Sequence, residues 1–264
     1  MHIYNLTQWL FIFYTYCFLG WCFESANVSL RSRQFINRGF IRGPFLPLYG
    51  SGATMMYIVS LPFQDNVMLT YIAGCIGATA LEFVVGIIMD ALFDVRYWDY
   101  SQRKFNYKGH ICLRSTIVWG FLTIFMTKVI HKPIESFMLS IPHNILGYLT
   151  FIITVYIAAD FALSFKAALD LRDVLAKMQR LREEVERMQK RLDVIIALNT
   201  EDVREEIAEL RARYNLYMEN RRNYKENLDF YERDMIINNP SMVSNKFKAT
   251  FEELKHMVTE KMSK

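Results

Sequence analysis

The sequence predicts an all-α polytopic membrane helix bundle with a cytoplasmic helical-hairpin or coiled-coil arm, and three observations predict it. Charge is segregated: 39 of the 58 Lys, Arg, Asp and Glu residues fall in residues 165–264. The residues before them hold apolar stretches long enough to cross about 30 Å of hydrocarbon. A heptad pattern starts where the last stretch ends. A soluble domain does not sort its charge in this way, whereas a membrane body joined to a cytosolic arm does. The expected division is a transmembrane helical domain at 1–165 and an arm at 166–264.

About five stretches are long enough to span: Leu6–Ser29, Pro44–Phe63, Val67–Phe93, Cys112–Ile130 and Ile145–Phe165. Their length and lack of strict alternation exclude a barrel, so helices must cross. The first stretch has no basic residue ahead of it and no small-residue cleavage site, so it is expected to stay as a helix. Tyr4, Trp9, Tyr57, Tyr71, Trp98, Tyr100 and Trp119 lie near segment ends, where interfacial aromatics belong.

Loop charge sets the expected orientation. The first connection carries Arg31, Arg33, Arg38 and Arg42, and the third carries Arg96, Arg103, Lys104, Lys108 and Arg114. The second, Gln64-Asp65-Asn66, has no base, and the fourth has Lys132 and Glu135. Positive loops stay inside, which puts the N-terminus outside and the arm in the cytoplasm of a cell membrane.

In the arm, Leu171, Val174, Met178, Leu181, Val185, Met188, Leu192 and Ile195 alternate three and four apart, a full a/d seam. Asn199-Thr200-Glu201-Asp202 interrupts it with an N-cap and first-turn acids. Val203, Ile207, Leu210, Tyr214 and Tyr217 then line a second helix. An antiparallel hairpin is the simplest reading, and a parallel dimer the alternative. The second helix is expected to end at Asn238-Asn239-Pro240, followed by an amphipathic helix with Phe247, Phe251, Leu254 and Val258, lying on the hairpin or the membrane.

Acids within a bilayer are expensive and need a reason. Glu24, Glu82, Asp90 and Asp160 stand out. Gly74, Ala78, Glu82, Gly86 and Asp90 recur every fourth residue, which puts small residues and carboxylates on one stripe facing a neighbouring helix. Glu82 lies roughly 22 Å along its helix from Val67, in the cytoplasmic half. The other three acids fall in that half too, and Arg38, Arg42 and Arg114 are their expected partners.

Other chemistries find little support. Cys17, Cys22, Cys75 and Cys112 match no zinc or disulfide spacing and read as packing residues. There is no GxSxG, HExxH or Walker A sequence. No catalytic residue, cofactor or metal is expected. The mixed charges of the arm read as a solvated helix face and not a nucleic-acid surface.

Ordered blocks carry a resemblance: Phe18-Leu19-Gly20-Trp21-Cys22-Phe23-Glu24-Ser25, the run from Asn37-Arg38-Gly39-Phe40 through Gly43-Pro44 to Gly50-Ser51-Gly52, Leu81-Glu82, Trp98-Asp99-Tyr100-Ser101, Asn106, Gly109-His110-Ile111-Cys112-Leu113 and Trp119-Gly120. Over about residues 8–165 the chain resembles the bacterial CmpB-type family labelled "putative ABC transporter type IV permease". The resemblance implies a multi-pass membrane protein and, since the chain carries no nucleotide-binding domain, a separate ATPase subunit.

The leading expectation is a permease component with a cytoplasm-facing substrate or ion site of Glu24, Arg38, Tyr49, Glu82, Asp99 and Asn106. Arg42, Asp90, Arg114 and Asp160 are expected to be structural ion-pair residues. One alternative is a membrane-anchored scaffold or regulator that dimerises or recruits a cytosolic partner through helices within 171–232. Another is an intramembrane enzyme acting on a lipid head group, with Glu24 and Glu82 as acid and base.

Overall fold

The computed structural model describes residues 4–198 and 203–260. Helix α1 (Leu6–Ser32) starts at an Asn5 capping box with Gln8 and ends at Arg33, which takes a left-handed conformation. Helix α2 is Pro47–Ser60, continued by a 3₁₀ turn at Leu61–Phe63. Helix α3 (Val67–Phe93) is capped by Asn66. Strands β1 (Asn106–Tyr107) and β2 (Ile111–Cys112) form a small antiparallel hairpin. Helix α4 (Leu113–Phe125) runs through a π turn at Met126–Ile130 into α5 (His131–Ser140). Helix α6 (His143–Leu198) carries the chain into the arm, followed by α7 (Val203–Asn227), α8 (Phe230–Asn238) and α9 (Lys248–Glu260).

Among the described residues, four helices are long and apolar enough to cross a membrane: Leu6–Ser32, Val67–Phe93, Leu113–Ser140 and His143–Val194. The second apolar stretch differs from expectation. Its helix begins only at Pro47 and has 14 residues, about 21 Å of rise. The delay has a local cause: Pro44 and Pro47 lack a backbone N–H, and each restricts the residue before it to extended conformations. Pro47 then suits the first helical turn. The fourth stretch is longer than expected, because Lys132 and Glu135 continue the helix instead of forming a loop.

Within the bundle, helices consecutive in the chain run antiparallel, with α4 and α5 counted as one. Tyr49 of α2 lies beside Gly20 of α1, and Tyr57 reaches Tyr4 and Trp9 at the other end. Gly74 faces Thr123 and Glu82 faces Trp119, so α3 and α4 are antiparallel too. The bundle therefore has two ends. One gathers Tyr4, Tyr57, Gln64 and His131. The other gathers Glu24, the Arg33–Leu46 segment, Glu82 and the Asp94–Cys112 connection. Large apolar side chains such as Ile76, Phe121, Phe151 and Ile152 stay exposed on the outer faces, which suits lipid and not water.

In the arm, α7 folds back along α6, with Arg213 3.9 Å from Glu184. The expected break at Asn199–Asp202 lies outside the described residues. A further break at Leu228–Asp229 was not expected. Asp229 opens α8 with a capping box to Glu232, a signal present in the sequence as Asp-x-x-Glu.

The largest buried cluster joins the arm to the bundle. Leu171, Leu175 and Met178 of α6 pack with Phe93, Val95 and Tyr97 from the end of α3, and with Met235, Met242, Phe251 and Leu254 from α8, α9 and the link between them. The first part of the heptad seam is thus covered by the same chain, and α9 packs on the arm.

Candidate functional site

The stripe on α3 faces inward. Gly74, Ala78, Glu82 and Gly86 are all buried. Glycine at 74 and 86 leaves room for Thr123 and the ring of His110. Glu82 sits between them at 7% exposure. Its Oε1 accepts from Tyr100 Oη at 3.0 Å, and its Oε2 accepts from Trp119 Nε1 at 2.9 Å and Ser115 Oγ at 3.2 Å. All three donors are neutral, and among the described residues no cation forms an ion pair with it.

Glu24 is held differently. Tyr49 Oη donates to its Oε2 at 2.8 Å, and Arg38 Nε lies 3.5 Å from its Oε1. Tyr49 can reach it because residue 20 is glycine; a Cβ there would overlap the Tyr49 side chain. Arg38 is fixed further by its own N–H on Ser25 Oγ at 3.0 Å. Its guanidinium also donates to Asn239 Oδ1 at 2.9 Å, Ser241 Oγ at 2.7 Å and the Tyr97 carbonyl at 3.3 Å. Burial, then the charge and hydrogen bond of Glu82, hold the Tyr100 phenol above the usual tyrosine range.

Asp90 pairs with Arg96, whose Nε and Nη2 donate to Oδ2 at 2.8 and 2.6 Å. His110 Nε2 lies 3.7 Å from the same oxygen. Burial, then the positive charge of Arg96, push the His110 imidazole below its usual range, against the opposing pull of Asp90 and Asp99. Asp160 is buried and accepts the Gly43 N–H at 2.7 Å, which pins the irregular segment before α2.

Several expected residues sit elsewhere. Asp99 is exposed and accepts from Ser101 N and Oγ at 2.9 and 2.5 Å. Asn106 bonds the Ser101 and Arg103 carbonyls and the Gly109 N–H, shaping its own loop. Neither is brought to Glu82, because a tight turn satisfies short polar side chains locally. Arg42 stacks on Phe230 at 3.9 Å and lies 3.8 Å from Asp234 of the arm, not beside an acid of the bundle. Arg114 is exposed and makes no ion pair among the described residues.

Sequence reasoning missed Tyr100, Ser115 and Trp119 as the partners of Glu82, and Arg96 as that of Asp90. Tyr100 and Trp119 were visible only as interfacial aromatics and as members of the blocks that carry the resemblance, and nothing in the sequence pointed to Asn239 or Ser241. Cys112 is buried and caps α4 with Ser115, in keeping with a packing role.

The family described as "Putative ABC-transporter type IV" matches residues 11–165. The chain belongs to this family. The match to the ABC-transporter type IV family spans the bundle and every residue of the Glu24 and Glu82 clusters up to Trp119. It stops within α6 at Phe165, so the rest of α6 and α7, α8 and α9 lie outside it. No curated protein and no solved structure matches the chain.

Proposed function

We propose that the chain is the membrane-embedded permease component of a transport system, with a cytoplasm-facing polar site of Glu24, Arg38, Tyr49 and Glu82, supported by Tyr100. One observation carries this reading: Glu82 is buried, with three neutral donors and no paired cation. A carboxylate away from water is costly unless compensated. Dipolar donors hold it in place without neutralising it, which leaves the site able to take up and release a proton or cation. Arg38 serves as counter-charge to Glu24 and as a handle for an anionic group. Asp99 and Asn106 shape the loop that delivers Tyr100.

The membrane passes number five, with α2 as the short one and the N-terminus outside. The course of α2 from the Glu24 end to the Tyr4 end supports this, as does the crowding of Arg31, Arg33, Arg38, Arg96 and Arg103 at the arm end. The arm is an antiparallel coiled coil within one chain. ATP hydrolysis, where it drives transport, belongs to a separate subunit. Gentle affinity purification from the native membrane tests this: a stoichiometric ATPase supports it, and its repeated absence from active preparations overturns the partnership.

A second reading, a scaffold that recruits a cytosolic partner, draws support from Tyr214, Leu216 and Met218, which stay exposed on α7. Because α8 and α9 pack on the bundle, the discriminating variant removes only the outer hairpin, residues 185–215, replaces Leu216 and Met218 with Ser, and leaves the rest of the arm. A scaffold loses all function, whereas a permease keeps transport.

A further inference from the structure

At the end of the bundle away from the arm, a cavity of about 490 Å³ opens among Tyr57, Gln64, Lys128, His131, Lys132 and Glu135. This size suits a small organic solute. Its back wall is the Tyr57 ring stacked on the His131 imidazole, with centroids 3.7 Å apart and planes 28° from parallel.

Behind that wall runs a buried hydrogen-bond chain. Tyr16 Oη lies 2.7 Å from His131 Nδ1, and His131 Nε2 lies 2.9 Å from Tyr4 Oη. Tyr4 donates to Glu135 Oε1 at 2.5 Å. A phenol has one proton, and Tyr4 gives it to Glu135. Its oxygen therefore accepts Nε2–H, and Nδ1 accepts from Tyr16. The chain fixes the His131 ring and one carboxylate oxygen, and leaves Glu135 Oε2 with no protein donor among the described residues.

Lys132 is exposed and bonds to nothing in the described chain. It stands one helical turn from Glu135, the spacing at which opposite charges ordinarily meet. No ion pair within 4.0 Å joins them. Lys128, a turn further back, donates to the Gln64 carbonyl at 2.5 Å and keeps two N–H groups for another acceptor. The cavity thus shows unsatisfied charge of both signs on one helix face. An anion alone would meet Glu135, and a cation alone would meet two ammonium groups. A solute carrying both charges a few ångströms apart satisfies every group.

We propose that this cavity binds a small zwitterion of the amino-acid class, its ammonium on Glu135 and its carboxylate between Lys128 and Lys132. The proposal does not rest on the arm-side site. The full chain, purified in detergent, is titrated calorimetrically with glycine and L-alanine, and with acetate and methylammonium as half-ligands. The expected result is binding of an amino acid with neither half-ligand competing at equal concentration. Glu135→Gln keeps an acceptor for Tyr4 and should weaken binding about tenfold or more. Lys132→Gln, at an exposed position, should do the same without touching the fold. Arg114→Gln, at an exposed position outside the cavity, should leave the affinity unchanged. The proposal is overturned if neither amino acid binds, if acetate binds as well as glycine, or if both cavity variants retain full affinity.

Discussion

Arg38 and Asn239, 201 residues apart, share a hydrogen bond of 2.9 Å, while the same guanidinium lies 3.5 Å from Glu24. One side chain therefore ties the polar site of the bundle to the segment between α8 and α9. Arg38→Gln removes the counter-charge of Glu24 and at least one of these bonds. A partly buried charged hydrogen bond is worth about 2 kcal/mol. The expected outcome is a lower melting temperature in detergent and faster proteolysis after residue 227, both read against wild type.

Glu82→Gln preserves shape but turns an amide N–H toward either Tyr100 or the Trp119 and Ser115 donors. An unsatisfied buried donor costs about 1–3 kcal/mol, so the variant should fold with reduced stability. Transport in reconstituted vesicles should fall to background, while Trp119→Phe, which removes one donor of three, should reduce it only in part. Full transport in Glu82→Gln would sink the carboxylate's role.

The C-terminal helix should matter for the stability of the bundle as well as the arm. Phe251 is fully buried in the cluster that contains Phe93 and Leu171. Phe251→Ala should cost about 3–5 kcal/mol through lost burial and the cavity it leaves. Thermal unfolding followed by intrinsic tryptophan fluorescence would check this, and an unchanged transition would show that α9 does not stabilise the bundle.

His110 gives a pH dependence with a defined sign. Burial and Arg96 hold its folded-state pKa below the ordinary value, while Asp90 and Asp99 pull the other way and Lys108 adds to Arg96. The unfolded chain therefore binds the proton first. Stability contributed by the neutral ring is full above about pH 6.5 and falls as pH drops below it. His110→Gln should flatten the melting-temperature profile between pH 7 and 5.5.

Much of the bundle was readable because apolar length and period report burial directly. The α3 stripe is an instance: four-residue spacing put Gly74, Ala78, Glu82 and Gly86 on one face, and that face is the buried one. Charge sign and depth put Arg38 among the expected partners of the four acids, and the structure sets it 3.5 Å from Glu24. Asp99 and Asn106 hold their own loop, and Arg42 pairs with Asp234 of the arm, because loop side chains choose partners by local geometry that periodicity does not encode.

The sequence by itself determined the helical class, the apolar segments, the heptad seam of the arm and the acids that need partners, since each depends on residues close in the chain. Only the tertiary structure decided that α2 is short, that Glu82 rests on Tyr100, Ser115 and Trp119, that α8 and α9 return to cover the end of α3, and that an open cavity lies at the far end. Those outcomes depend on which distant surfaces meet, and contacts across 200 residues leave no periodic trace in the chain that makes them.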